Sequence, residues 1–156
     1  MLKIRIIAIG RHKDRWVEEG CAHFEKLLSR FAKIEWKILA PPKESSSLTP
    51  TEIKIREARL LEKECQKGLC VALSDKGELR DTPAFAKMLE TIQITSGGIV
   101  NFIIGGAYGL DDSILNKADH ILSLSPLTFS HQLVRLILLE QLYRAFALLR
   151  EHPYPK

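Results

Sequence analysis

The stretch NFIIGGAYGLDD, residues 101–112, places a short apolar run directly against two glycines, followed by an aromatic residue, a third glycine and two aspartates. Glycines at the end of a buried strand cost chain entropy, so the fold gains something from the absence of side chains at Gly105 and Gly106. One interpretation is that a ligand approaches the backbone there. The other is a tight strand-to-helix turn, with Gly109 at positive φ and one of the aspartates capping the next helix.

The hydrophobic pattern on both sides of this stretch predicts strands separated by helices. Thr49 and Glu52 form a capping box with Pro50 at the first helical position, which marks one helix start. This alternation predicts an α/β fold with a mostly parallel sheet and helices on both faces. The predicted strands are 2–9, 33–39, 69–74, 99–104 and 120–124, the predicted helices are 16–31, 50–68, 83–95, 113–118 and 130–150, and the Pro/Ser-rich segment 41–50 is a loop.

Length and composition restrict the class of protein. With 156 residues and 46% hydrophobic content, we expect one globular domain over 1–156. The sequence has no apolar run of the ~20 residues that a membrane span needs, and no secretory signal, so we expect a cytoplasmic protein. The three cysteines form no CxxC pair and the histidines no HExxH motif, which predicts that no metal is bound. A net charge of +4 permits a polyanionic partner.

Parallel sheets bind ligands beyond the C-terminal ends of their strands. Three segments are predicted to lie at that edge: 74–77, 105–109 and 123–131. Neither a Walker A loop nor a GxGxxG motif occurs, which disfavours a nucleoside triphosphate or a dinucleotide. An edge of glycines, hydroxyl side chains and leucines is better suited to an adenosine held by backbone hydrogen bonds and apolar packing.

The last predicted helix is apolar on every side, so it must be covered on every side. The sheet covers only one side, so we expect a second copy of the chain to cover another, most simply through a two-fold axis. The alternative is a central core helix in a monomer. Arg135, Glu140 and Arg144 interrupt the apolar run and exclude a membrane span, and Glu140 and Arg144 have the spacing of a salt pair.

Three segments, IIGGAYGL, SLSPLTFSHQLVRLILLEQLYRA and the terminal HPYPK, resemble the RlmH family. These are SPOUT-class methyltransferases that modify N3 of a pseudouridine in bacterial large-subunit ribosomal RNA. The resemblance implies a C-terminal trefoil knot, a homodimer and S-adenosylmethionine as cofactor. Related sequences often carry Pro-Glu where this chain has Ala107 and Tyr108. The cofactor contacts that it implies are Leu73, Gly105, Leu124, Ser125, Pro126, Leu127, Thr128 and Phe129.

Methyl transfer from a sulfonium requires that donor and acceptor be oriented, and it needs no metal or covalent nucleophile. The proton on N3 must leave, and the charge that develops must be stabilised. The candidate residues for these roles are His131, Arg135, Arg144, His152 and Tyr154, with Lys156 as a further cation. Each also has a structural explanation: His131 as a helix cap, Arg144 as the partner of Glu140, and the tail as a frayed end.

Two other functions remain open at this level. One is a ribosome-binding or assembly factor without catalysis, and the other is a SPOUT methyltransferase that acts on transfer RNA. Because the chain has no added RNA-binding domain and a net charge of only +4, we expect its substrate to be an assembled ribosome or large subunit rather than free RNA.

Overall fold

The structure is a computed structural model that describes residues 1–43 and 45–154. Strands and helices alternate along the chain, as the hydrophobic pattern predicts. The strands are β1 (Leu2–Ile9), β2 (Ala32–Leu39), β3 (Leu69–Leu79), β4 (Ile99–Ile104) and β5 (His120–Ser123), and the helices are α1 (Arg15–Leu28), α2 (Pro50–Glu64), α3 (Thr82–Thr95), α4 (Asp112–Lys117) and α5 (Leu133–Leu149).

The five strands form one sheet in the order β2-β1-β4-β3-β5, and every neighbouring pair is parallel. The predicted parallel sheet is therefore confirmed. Side chains alternate between its two faces, so the sheet contributes to two separate cores. Leu2, Ile4 and Ile6 of β1 belong to the larger core, whereas Ile7 and Ile9 belong to the smaller one. Helices α1, α3 and α5 supply buried residues to the larger core, and α2 and α4 supply them to the smaller one.

Several element boundaries differ from the prediction. Helix α2 ends four residues before Gly68, whose φ of +84° and close approach to the carbonyl of Ile99 belong to the turn into β3. Strand β3 continues into DKGELR as far as Leu79, because a register shift between Leu73 and Glu78 lets it pair with β5 on both sides of a bulge. The segment 41–50, predicted as a loop, contains a short 3-10 turn at Ser45–Ser47, and Glu44 lies outside the described residues.

Helix α5 is covered more completely by its own chain than its sequence suggested. It packs on the sheet and against α1 and α3, and eight of its residues are buried. The expectation that only the sheet covers α5 within its own chain is therefore corrected, because α1 and α3 cover much of the circumference. The expected second copy of the chain stays a prediction. An outer face remains, with Leu133 and Ile137 half-buried and Leu148 51% exposed.

No helix in the described part of the chain is long and apolar enough to cross a membrane.

Candidate functional site

A cleft of about 570 Å³ opens beyond the C-terminal ends of β4 and β5 and beside the bulge of β3. This is the edge where parallel sheets bind ligands, and the three segments predicted to lie there all contribute to it. The cleft is lined by 73–75, 104–110, the residues of 124–131 other than Pro126, and Val134 of α5.

The glycine loop, residues 105–109, folds back on itself at one wall of the cleft. The N–H of Gly109 donates to the carbonyl of Gly106 at 3.1 Å, and Gly109 has a φ of +83°. Asp111 then caps α4 by accepting from the N–H of Ser113 at 3.1 Å. The turn interpretation of this stretch is thus confirmed, and the same backbone lines the cleft.

The two adjacent glycines are required by contacts within the chain. A Cβ at Gly105 would lie 2.6 Å from the carbonyl carbon of Gly109, so a side chain there would collide with the returning loop. A Cβ at Gly106 would overlap the carboxylate of Glu57, which lies on α2. The absence of side chains at Gly105 and Gly106 is therefore required first of all by contacts within the protein itself.

The opposite wall is a loop held by the bulged part of β3. The hydroxyl of Ser123 donates to the carbonyl of Asp75 at 3.2 Å, and that of Thr128 donates to the Asp75 carboxylate at 3.2 Å. The N–H of Leu127 donates to the hydroxyl of Ser125 at 3.0 Å. These bonds fix the backbone of the loop while the Leu127 side chain stays 72% exposed at the cleft.

The lining residues suit S-adenosylmethionine. Leu73 and Leu124 offer apolar surface, and the exposed side chains of Tyr108 and Leu127 border the opening. The glycine loop presents backbone hydrogen-bond donors and acceptors. Seven of the eight predicted contacts line the cleft, and Pro126 does not. Within the described residues no cluster of three or more metal-ligating side chains occurs, so the cleft offers an organic ligand better partners than a metal.

His131 is the one predicted catalytic residue that borders the cleft. Its ring is half-buried, and burial lowers its pKa below the usual 6.5, with Arg135 and Lys13 adding to the effect. An imidazole in this environment is neutral at pH 7 and is able to accept a proton.

Arg135 lies in the core rather than in the cleft. It is fully buried, its Nη2 donates to the carbonyl of Ile9 at 2.8 Å, and its Nη1 donates to Nδ1 of His12 at 3.2 Å. Its Nε has no hydrogen-bond partner among the described residues. Arg135 therefore ties the start of α5 to the loop that follows β1.

That loop, residues 11–13, is fixed by a second contact. The buried amide of Gln132 accepts from the N–H of Lys13 at 3.0 Å and donates to the carbonyl of Arg11 at 3.2 Å. The side chains of Arg11 and Lys13 remain exposed, and the charge of Lys13 is close enough to the cleft residue His131 to lower its pKa.

The other three predicted catalytic residues lie toward the far end of α5. Arg144 pairs with Glu140 and lies 4.6 Å from the ring centre of Tyr154, whose hydroxyl donates to Glu140 at 3.2 Å. His152 accepts a long hydrogen bond of 3.4 Å from Arg30 and packs edge-on against Phe31. Lys156, proposed as a further cation, lies outside the described residues.

The structure thus separates the predicted catalytic residues into three places. His131 is at the cleft, Arg135 is in the core, and the rest lie beside the middle of α5 or toward its end. Since α5 has 17 residues, its axis is about 25 Å long. Within one chain, the tail and the cleft do not meet.

Sequence reasoning missed two polar residues near the site, Glu57 and Gln132. Both are buried, with exposures of 4% and 6%. Glu57 lies in α2, whose other polar residues are exposed or half-buried, and Gln132 directly precedes α5, so periodicity gave no indication of the partner of either residue. Both make contacts with distant parts of the chain. Glu57 contacts Gly106, 49 residues further on, and Gln132 contacts Lys13, 119 residues before it.

Comparison with known proteins agrees with the cleft. A family described as "Predicted SPOUT methyltransferase" matches residues 2–155. The chain is 42% identical to the ribosomal RNA large subunit methyltransferase H of Acetivibrio thermocellus over 98% of this chain and 99% of that protein. It is 36% identical to the protein of the same name from Streptococcus pneumoniae, over 99% of this chain and all of the relative.

Two solved structures share the fold at low sequence identity. A probable methylase family protein from Haemophilus influenzae aligns with a TM-score of 0.59 and 12% identity, over 98% of this chain and 72% of that one. A probable methyltransferase from Bordetella pertussis aligns with a TM-score of 0.56 and 17% identity, over 92% and 96%. The RlmH resemblance is confirmed: the chain belongs to the SPOUT methyltransferases and, among them, to the family of ribosomal RNA large subunit methyltransferase H.

Proposed function

We propose that this protein is an S-adenosylmethionine-dependent enzyme that methylates N3 of a pseudouridine in large-subunit ribosomal RNA, as one domain over 1–156 in the cytoplasm. The observation that carries the proposal is the cleft at the strand ends, walled by the glycine loop and the loop 124–130, in a chain that matches its family along nearly its whole length. Bound S-adenosylmethionine supplies an electrophilic methyl group. Everything else in the reaction is positioning and proton transfer by the chain.

The cofactor contacts follow from the lining of the cleft. Leu73 and Leu127 enclose the adenine, while the N–H and C=O groups of the glycine loop hydrogen-bond the polar part of the ligand. The loop is already closed by its own hydrogen bond, so less order is lost when the ligand binds.

His131 is the proposed base for the N3 proton. It borders the cleft, and its lowered pKa keeps the ring neutral at pH 7. Tyr154 is a hydrogen-bond donor rather than a base, because burial and then Glu140 raise the pKa of its phenol.

The tail reaches a cleft only if a second copy brings it there. Neither His152 nor Tyr154 lines the cleft of its own chain: Tyr154 bonds Glu140 at the middle of α5, and His152 lies beyond the helix end beside Arg30. We propose a homodimer through the outer face of α5, defined as Leu133, Ile137 and Leu148 with the Glu140–Arg144 pair, in which the tail of one chain completes the cleft of its partner. Tyr154 then stacks on the base, and His152, Arg144 or Lys156 stabilises the developing charge.

The loop 11–13 is the proposed contact for RNA phosphates. Arg11 and Lys13 are exposed, Lys13 lies near His131 of the cleft, and no ion pair of either cation is found within residues 1–43 and 45–154. Two cations in a fixed loop position a substrate but give little affinity. This agrees with a substrate whose shape is supplied by an assembled ribosome or large subunit.

We also propose the trefoil knot. The bulge of β3 packs tightly around the end of β5: a Cβ at Gly77 would lie 2.8 Å from the carbonyl oxygen of Ile121, and Asp75 bonds Ser123 and Thr128. This close packing of 75–77 around the chain that leads into α5 supports the proposal. A crystal structure traced through 73–133 tests it.

Two experiments separate the proposed function from its alternatives. Calorimetry with S-adenosylmethionine distinguishes a methyltransferase, which binds with micromolar affinity, from a ribosome-binding factor, which gives no heat. Methylation assays with 70S ribosomes, 50S subunits, a naked stem-loop transcript and transfer RNA then identify the substrate. Activity on the naked transcript equal to that on ribosomes would contradict the proposal that an assembled ribosome or subunit is required. Activity on transfer RNA alone would contradict the proposal that the substrate is ribosomal RNA.

The Gly105→Val variant should bind no cofactor, because its side chain would displace the backbone of Gly109 and Leu110 and so distort the wall of the cleft. The matched control is Gly20→Ala, whose Cβ would meet only the flexible end of Leu136, away from the cleft. We expect the control to bind S-adenosylmethionine like the wild type.

A further inference from the structure

One buried charge near the cleft has no role in the chemistry described above. Glu57 is 4% exposed, although carboxylates are seldom buried without a cation. None of the described residues forms an ion pair with it, and its Oε1 has no hydrogen-bond partner. Burial raises the pKa of this carboxyl, and a hydrogen bond from the backbone of Gly106 partly offsets the rise.

The contact with Gly106 is the only one that the carboxylate makes with a polar group in the described chain. Gly106 lies in the glycine loop that lines the cleft. Because a Cβ at Gly106 would overlap both carboxylate oxygens, the glycine and the carboxylate fit each other in shape as well as in hydrogen bonding. The contact joins α2, on the smaller core, to the wall of the cleft.

We propose that Glu57 is a positioning residue for the cofactor cleft: from behind the wall, its carboxylate holds the Gly106 backbone in the conformation that binds S-adenosylmethionine. This inference rests on the proposed function. The unpaired charge costs stability, and a residue that lowers stability while it orders a binding loop is expected at functional sites.

This role predicts opposite effects on stability and on binding. In Glu57→Ala, the melting temperature should stay equal or rise, because a buried unpaired charge is lost. The affinity for S-adenosylmethionine should fall about tenfold, because the loop loses a charge-assisted hydrogen bond and must be ordered by the ligand instead. Glu57→Gln keeps an acceptor for the Gly106 N–H, so it should bind within about threefold of the wild type.

A double substitution tests the contact itself. Gly106→Ala alone should weaken binding at least tenfold, because its methyl group collides with the carboxylate. In the Glu57→Ala background the same substitution should cost less than about twofold, since the methyl group occupies the space that the carboxylate left. The control is Gly105→Ala: its Cβ collides with the backbone of Gly109 and Leu110, so Glu57→Ala should not relieve it.

The measurement is calorimetry with S-adenosylmethionine on each full-length variant, with melting temperatures from circular dichroism. The inference is wrong and the proposed function stands in either of two cases. In one, Gly106→Ala lowers the affinity for S-adenosylmethionine by the same factor in both backgrounds; in the other, Glu57→Ala binds S-adenosylmethionine with the affinity of the wild type. If Glu57→Ala lowers the melting temperature and leaves affinity unchanged, Glu57 is only structural. If the wild type itself binds no S-adenosylmethionine, the proposed function fails, and the inference fails with it.

Discussion

The two ends of α5 differ in what they touch. At its start, Val134 and the preceding His131 line the cleft, and Gln132 and Arg135 anchor the helix to the loop after β1. At its end, the tail packs on its own helix through Tyr154. One end is thus built into a concave site, whereas the other carries an imidazole and a phenol with no cleft of its own. If the proposed function is correct, these are two parts of one site that a single chain does not bring together.

The strongest test of this comparison removes the tail. Deletion of 152–156 should abolish methylation of ribosomes, because the base then lacks its stacking and charge-stabilising groups, while the affinity for S-adenosylmethionine changes less than about twofold. A methylation assay and calorimetry on the same preparation measure both. Methylation at the wild-type rate would show that the tail is only a frayed end.

Mixed dimers sharpen the test. Combining a tail-deleted chain with a Gly105→Val chain leaves one intact cleft, and the chain that owns this cleft has no tail. Activity in the heterodimer, where each homodimer is inactive, would show that the tail acts on the partner's cleft. An inactive heterodimer that still binds cofactor would place the tail's action within its own chain.

Breaking the dimer should have an effect nearly as large. Ile137→Glu places a charge on the outer face of α5, which should shift light scattering from twice the 17.7 kDa chain mass to a monomer and lower activity at least a hundredfold. Leu139→Glu is unsuitable, because Leu139 is fully buried within its own chain. The control is Ile94→Glu, on α3 and 79% exposed, which should remain dimeric and active. A wild type that is already monomeric would overturn the dimer proposal.

His131 tests the cleft end alone. His131→Gln should lower kcat about a hundredfold, because the N3 proton loses its acceptor. Burial lowers the pKa of His131, so the wild-type rate should be level above pH 6.5 and fall as the pH drops through that lowered pKa; the variant should lose this limb. His23→Gln, exposed on α1, is the control. An unchanged pH profile in His131→Gln would assign the base elsewhere.

The same shift predicts a stability effect with a definite sign. The unfolded chain binds a proton at His131 more tightly than the native chain does, so the free energy of unfolding should decrease as the pH falls below 6.5. Urea titrations at pH 7.5 and 5.5 on wild type and His131→Gln measure this. The variant should lose part of the difference, and His12, whose pKa is also lowered by burial, should contribute to the remainder in the same direction.

The smallest effect is expected at the loop 11–13. Arg11→Ala and Lys13→Ala should each weaken binding to ribosomes about tenfold or less and reduce the slope of log affinity against log salt by about one, without changing cofactor affinity. Lys33→Ala, exposed at the opposite edge of the sheet, is the control. A salt slope unchanged in both variants would remove this loop from the RNA interface.

Local rules predicted the elements well where local contacts decide them. The start of α2 was predicted correctly from Thr49, Pro50 and Glu52, and both hydrogen bonds of the capping box are present. The turn and the helix cap that follow β4 were predicted from Gly109 and the aspartates after it, and the structure has Gly109 at positive φ and Asp111 as the cap. The extension of β3 through DKGELR was missed, because its pairing depends on β5, which lies more than forty residues further along the chain.

The sequence by itself determined the parallel α/β architecture, the position of the cleft at the strand ends and the family, because strand periodicity, caps and motifs are local features. Only the tertiary structure decided that Gly106 accommodates Glu57, that Arg135 is buried in the core, and that the tail packs on α5 and not in the cleft of its own chain. The physical reason is that these outcomes depend on contacts between segments far apart in sequence. Apolar periodicity identifies which face of a helix is buried, but it does not specify which polar group will meet it there.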